Sequence, residues 1–179
     1  MKKNKLFILI LCISMLICAV SLIGCSNEAK VADVEKAQDY TVQLFYANAE
    51  YVTTGDESLE RLMPAYESKI PASSSNVYVD TLEALKSVPE GGYETIITKE
   101  IKFNDIYVKD KTAYVDLNSK GLNGGSLSES FLISQIVETL INSFDEVVQV
   151  QFLVDGKVVE SLMGHFDATK PFTSGISAE

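Results

Sequence analysis

The chain has 179 residues, with 15 Lys and Arg against 25 Asp and Glu, a single histidine and no tryptophan. A formal charge of −10 repels polyanions, and with no Lys/Arg cluster after residue 5 and no RNP-like aromatic motif to offset it, nucleic-acid binding and adhesion to anionic lipid through a basic patch are excluded.

Lys2, Lys3 and Lys5 make a basic n-region, Leu6 to Val20 an apolar h-region, and Leu22-Ile23-Gly24-Cys25 a small-residue junction ending in cysteine. This is the pattern of a bacterial lipoprotein signal, and the apolar run falls short of the roughly twenty residues of a membrane span. An uncleaved anchor is the alternative. Cleavage before Cys25 removes residues 1–24 with Cys12, Cys18 and three lysines, leaving 12 basic against 25 acidic residues and a charge of −13. The one remaining cysteine is then the lipid acceptor, so neither a disulfide nor a cysteine metal site is expected in the folded part. Acyl chains on Cys25 make the bilayer the first expected partner, because each buried methylene contributes about 0.8 kcal/mol.

Residues 25–38 are polar and read as a lipidated tether, residues 39–173 as one domain, and residues 174–179 as a disordered tail. Tyr40 to Tyr46 is β-branched and aromatic and predicts a strand, with Glu50 to Thr53 a short continuation. Leu59 to Ile70 is open between helix and strand, since Leu59, Leu62 and Met63 have helical spacing but Pro64 interrupts them. Asn76 is placed to cap a helix carrying Val79, Leu82 and Leu85, ended by Pro89 and Gly91-Gly92. Two strands follow, about Glu100 to Val108 and Thr112 to Leu117, joined as a hairpin through Lys109-Asp110-Lys111.

Ser126-Leu127-Ser128-Glu129 fits a capping box, with Ser126 at the N-cap and the Glu129 carboxylate returning to it. The apolar series Leu127, Phe131, Ile133, Ile136, Val137, Leu140, Ile141 and Phe144 predicts a helix of about seventeen residues lying on a sheet. Val147 to Val154 supplies a strand, Asp155-Gly156 a two-residue turn, and Lys157 to Leu162 the return strand. The fold class is α+β: a mixed or antiparallel sheet with two helices packed on one face.

The hairpin with Ala113-Tyr114-Val115-Asp116, the turn Leu122-Asn123-Gly124-Gly125-Ser126, the long helix, Val150 to Lys157 and Gly164-His165-Phe166-Asp167 together resemble the GerMN domain, a sporulation and spore-germination module of Gram-positive envelope lipoproteins. The resemblance spans most of residues 40–172, and departs from that pattern after the first helix, where Val88-Pro89-Glu90-Gly91-Gly92 stands in place of a Gly-Pro pair. It implies a fold similar to ring-building motifs and a non-catalytic module that supports assembly of envelope complexes. The partners implied are one or more envelope proteins, with self-association left open, and no cofactor. A solute- or peptidoglycan-binding lipoprotein is the second reading.

A hydrolase using His165 is the third. Ser161, His165 and Asp167 are the residues available to it, yet no Gly-x-Ser-x-Gly elbow exists, and His165 with Asp167 makes two ligands where catalytic zinc needs three. No catalytic residue and no metal site are therefore assigned. His165 is expected to shape a loop, bonding through its ring to backbone or to Asp167, while Gly164 turns the chain away from the final strand. Asn123, Gly124 and Gly125 read as a tight turn with φ > 0 rather than an anion site. Asp105, Asp110 and Asp116 read as a solvated face, their spacing unlike an EF-hand loop.

Overall fold

The computed structural model describes residues 38–65 and 67–177. The signal, Cys25 and nearly all of the tether lie outside these residues. The strand expected over 40–46 is two strands, β1 (Tyr40–Val42) and β2 (Phe45–Asn48), parted at Gln43 and Leu44. Residues 50–53 do not extend it. They lie in a short helix, α1 (Ala49–Thr54), because the Asn48 side chain accepts from the N–H groups of Glu50 and Tyr51 at 3.0 and 3.5 Å. Gly55 closes that helix at φ +65°, so an Asn cap and a left-handed glycine overrule the β-propensity of Tyr51 and Val52.

The open segment resolves as extended: β3 (Leu62–Pro64) and β4 (Ser68–Ile70). Next come α2 (Val77–Ala84), capped by Asn76 as expected, and the two-residue β5 (Tyr93–Glu94). β1 pairs with β4, while β2 lies between β3 and β5, all antiparallel.

β6 (Phe103–Lys109) and β7 (Thr112–Leu117) form the hairpin, turning on Asp110 and Lys111 at φ +50° and +62°. Two successive left-handed residues match the right-handed strand twist. The long helix is α3 (Ser126–Ser143), and β8 (Gln149–Val154) then runs parallel to β7. Asp155 and Gly156 make the expected turn, at φ +48° and +78°. The return strand does not form. Only Lys157 bridges back, to Val154, and the chain then leaves the sheet.

One face of the β6–β7–β8 sheet carries Ile106, Ala113, Val115, Leu117, Val150 and Phe152, all buried. Leu82 and Leu85 of α2 and Leu132, Ile133, Ile136 and Leu140 of α3 pack with them in one core. Phe131 is buried elsewhere, with Ala47 and Tyr51 in a second, smaller cluster. The placement of Phe131 between helix and sheet is thus corrected, while Ile136 lies there.

Helix α3 is buried on more than one side because β1 and β2 pack against it as well as the sheet. Its polar positions Gln135, Thr139 and Ser143, four residues apart, bond to the backbone there. Thr139 Oγ1 accepts from the Phe45 N–H at 3.0 Å and Ser143 Oγ from the Gln43 N–H at 2.9 Å. Gln135 accepts from the Ile96 N–H at 2.9 Å and donates to the Phe45 carbonyl at 3.3 Å. The helix thereby supplies backbone partners that a neighbouring strand would otherwise provide.

Residues 174–177, expected to belong to a disordered tail, form a strap on α3. The Gly175 N–H donates to Glu138 Oε1 at 2.7 Å and the Ile176 N–H to Ser134 Oγ at 2.8 Å. A Cβ at Gly175 would come within 2.9 Å of the Ser134 side chain. Gly175→Val is accordingly expected to detach the strap and lower stability by about 1–3 kcal/mol, the worth of two or three hydrogen bonds. Hydrogen exchange checks it: the amides of residues 175 and 176 should lose protection while those of β7 keep theirs.

Candidate functional site

The loop that holds the only histidine is organised by one carboxylate, Glu129. Its position follows from helical spacing: 129, 132/133, 136 and 140 share the stripe that faces the core, so this acid enters the interior with Leu132, Ile133, Ile136 and Leu140. Once buried it must be satisfied, and the loop satisfies it. Oε1 accepts from Ser161 Oγ at 2.8 Å, the Leu162 N–H at 2.9 Å and the Met163 N–H at 3.0 Å, and Oε2 from the His165 N–H at 2.8 Å. Burial pushes the Glu129 pKa up, but these four donors outweigh it and hold the carboxyl below its ordinary value.

The capping box is therefore not formed. Gly125 is the N-cap, with no side-chain cap bond, and Ser126 is the first helical residue. Glu129 has been drawn to the loop instead, and the same attachment pulls residues 158–165 off the sheet edge where a return strand was expected. Sequence periodicity did contain the signal, a lone acid in register with an apolar stripe.

His165 is exposed, and its ring Nε2 lies 3.4 Å from the Gly124 carbonyl. Asp167 does not bond to it. That carboxylate accepts from the Thr169 hydroxyl and N–H, which hold its pKa low. Ser161 Oγ, besides donating to Glu129, accepts from the backbone N–H groups of Gly164 and His165. Gly164 has φ +97°, the left-handed turn expected of it.

The glycine pair acts differently from expectation. Gly124 and Gly125 have no positive φ; Gly121 carries it, at +99°. Gly124 is needed for close approach, since a Cβ there would sit 2.8 Å from Ser128 Cβ and 3.2 Å from the Met163 sulfur. The aspartates are spent locally: Asp116 accepts from the Gly156 N–H at 2.9 Å and Asp105 from the Ile106 N–H at 2.9 Å, with Asp110 in the hairpin turn. Among the described residues no group of three His, Cys, Asp or Glu side chains is placed to share a metal ion.

Two further features escaped sequence reasoning. Arg61, the only arginine of the chain, lies 5.0 Å from the ring centre of Phe131 and 5.5 Å from that of Tyr51. It donates to the Ile176 carbonyl at 2.7 Å and to Ser130 Oγ at 2.8 Å, clamping the strap. Elsewhere in the domain, Tyr40, Tyr78 and Tyr107 line a concavity of about 440 Å³ between the start of β1, the loop before α2, and β6. Tyr107 stacks on Tyr114, ring centres 5.0 Å apart and planes within 11°. Tyr78 donates to Glu146 at 2.8 Å, and burial together with that carboxylate raises its pKa to about 12.

No helix among the described residues is long and apolar enough to cross a membrane. Three solved structures share the fold. One is a candidate lipoprotein from Clostridium perfringens, at 23% identity and a TM-score of 0.50 over 76% of this chain and 88% of that one. Another holds the tandem GerMN domains of the sporulation protein GerM from Bacillus subtilis, at 22% identity and a TM-score of 0.54, covering 82% of this chain and 48% of that one. The first GerMN domain of the same protein aligns at 15% identity and a TM-score of 0.56 over 76% of this chain and 96% of that one. This chain thus spans about half the length of the tandem protein. No curated protein sequence matches it. The Germane family model, described as sporulation and spore germination, matches residues 43–160, from the β1–β2 break to the Glu129-held loop, so the chain belongs to that family and its folded unit is a GerMN-like domain.

Proposed function

We propose that this chain is tethered by lipid on Cys25 to the extracytoplasmic face of a cell membrane, and that it serves there as a non-catalytic interaction module of an envelope assembly in sporulation or germination. The observation that carries this reading is the junction Leu22-Ile23-Gly24-Cys25 set, across a polar tether, ahead of a domain of the sporulation and germination family. A non-catalytic role is supported by the way Ser161 and Asp167 are spent on backbone N–H groups and Thr169 rather than on the His165 ring. The partners are envelope proteins, and the domain needs no cofactor to reach them.

Cys25→Ala is expected to release the protein from the membrane, because the −13 remainder has neither a basic nor an apolar anchor of its own. Fractionation of cells carrying this variant measures it. A protein that stays wholly with the membrane, its signal still cleaved, would show that something other than lipid holds it. Crosslinking in intact cells followed by recovery through the wild-type chain tests the interaction role, and recovery of the protein alone would count against it.

A further inference from the structure

The concavity between β1, the 74–77 loop and β6 has a lining that selects one ligand chemistry. No charged side chain lines it; the walls are three tyrosines, Ser74, Ser75 and Asn76 with aliphatic residues between them. Tyr40 and Tyr107 are among the most exposed large hydrophobic residues of the domain, at 46% and 44%. Tyr114 takes one face of the Tyr107 ring, which fixes its orientation at the edge of the sheet. A rigid aromatic face in water is a platform for the C–H-bearing face of a saturated ring, since the negative ring face attracts the weakly positive C–H groups.

Polar groups beside these rings match a polyol. The Asn76 amide is steadied by donating to the Ile106 carbonyl at 2.8 Å, and Tyr78 by donating to Glu146. Carboxylates therefore stand one bond behind the wall, Glu146 behind Tyr78 and Asp105 at 3.5 Å from the Asn76 amide nitrogen. Negative charge just outside an uncharged lining disfavours phosphate polymers and anionic headgroups, while hydroxyl and amide groups pair with Asn, Ser and Tyr. The lining is too polar and the concavity too open to hold an acyl chain.

The geometry points to a glycan-binding subsite in which Tyr40 and Tyr107 stack against the sugar rings of an uncharged hexosamine polymer, and the hydroxyls of Ser74 and Ser75 bond to its substituents. This goes beyond the interaction role proposed above, and it depends on the extracytoplasmic location only for access to a wall polymer. The purified domain tests it without that location.

Chitohexaose titrated into residues 39–179 is the direct probe, read by the intrinsic fluorescence of tyrosine in a chain free of tryptophan and by amide shifts of Asn76, Ile106 and Val108. Saturable binding is expected. Tyr107→Ala and Tyr40→Ala should each weaken it about tenfold, the scale of one lost aromatic contact, whereas Tyr107→Phe should stay close to wild type. Thermal melts of the variants verify folding, and the more exposed Tyr40 decides the matter if Tyr107→Ala unfolds. Shorter uncharged N-acetylglucosamine oligomers should compete, and stem peptides or a phosphate-linked wall polymer should not. Absence of saturable binding, competition by the peptides alone, or affinity unchanged in both alanine variants would overturn the subsite. None of these outcomes touches the crosslinking result, so the two readings fail separately.

Discussion

Glu129→Ala is expected to lower stability by about 3–5 kcal/mol, because four donors aimed at one buried carboxylate lose their acceptor together and each bond to a charged group is worth about 1.5–3 kcal/mol before the loop relaxes into water. A domain of this size has only about 5–15 kcal/mol in total. The loss should be accompanied by fast amide exchange at residues 162–165, measured beside the thermal melt. A second signature lies in the pH dependence. The folded pKa of Glu129 is held below the ordinary value of 4.5, so its contribution is fully present above that value and is lost as pH falls through the lower folded pKa. Glu129→Gln has no proton to gain in this window, and its stability should therefore fall less steeply between pH 5 and acid denaturation than that of wild type. Parallel curves would mean that the carboxylate is not ionised in the fold.

Phe131→Ala is expected to lower stability by about 3–5 kcal/mol through the cavity it leaves. The ring packs edge-on against Tyr51, centres 6.0 Å apart, and lies under the Arg61 guanidinium. Its removal also loosens the clamp that Arg61 places on the strap, so the variant should expose residues 174–177 to protease as well as melt early. Urea titration gives the magnitude. A midpoint within error of wild type would show that the smaller cluster is dispensable to the fold.

The elements legible in the sequence were those whose signals are local. Asn76 before an apolar three-residue step, the Asp110-Lys111 and Asp155-Gly156 turns, and the long periodic run of α3 each specify their structure within a few residues, and each is where it was expected. The failures share a different cause. Asn48 caps α1 only because the chain bends there, Glu129 abandons its capping box for a loop more than thirty residues away, and Phe131 turns from the main core to Tyr51. In each case a long-range partner decided between two locally acceptable states. The tyrosine concavity was hidden for the same reason: Tyr40, Tyr78 and Tyr107 come from three separate elements. Cys25, by contrast, was read wholly from the sequence and lies outside the described residues.

The ladder of Gln135, Thr139 and Ser143 sets an order of events during synthesis. The backbone of residues 43–45 finds these partners 90 to 100 positions further along the chain. Until α3 has emerged, the backbone groups of Gln43 and Phe45 lack these partners and β1 and β2 have no helix to cover them, and closing so long a loop is slow. The N-terminal half is consequently expected to settle only when the C-terminal half arrives. On the extracytoplasmic location proposed above, which requires the chain to cross a membrane as an extended thread, late closure would keep the leading end slack during passage and postpone compaction to the far side.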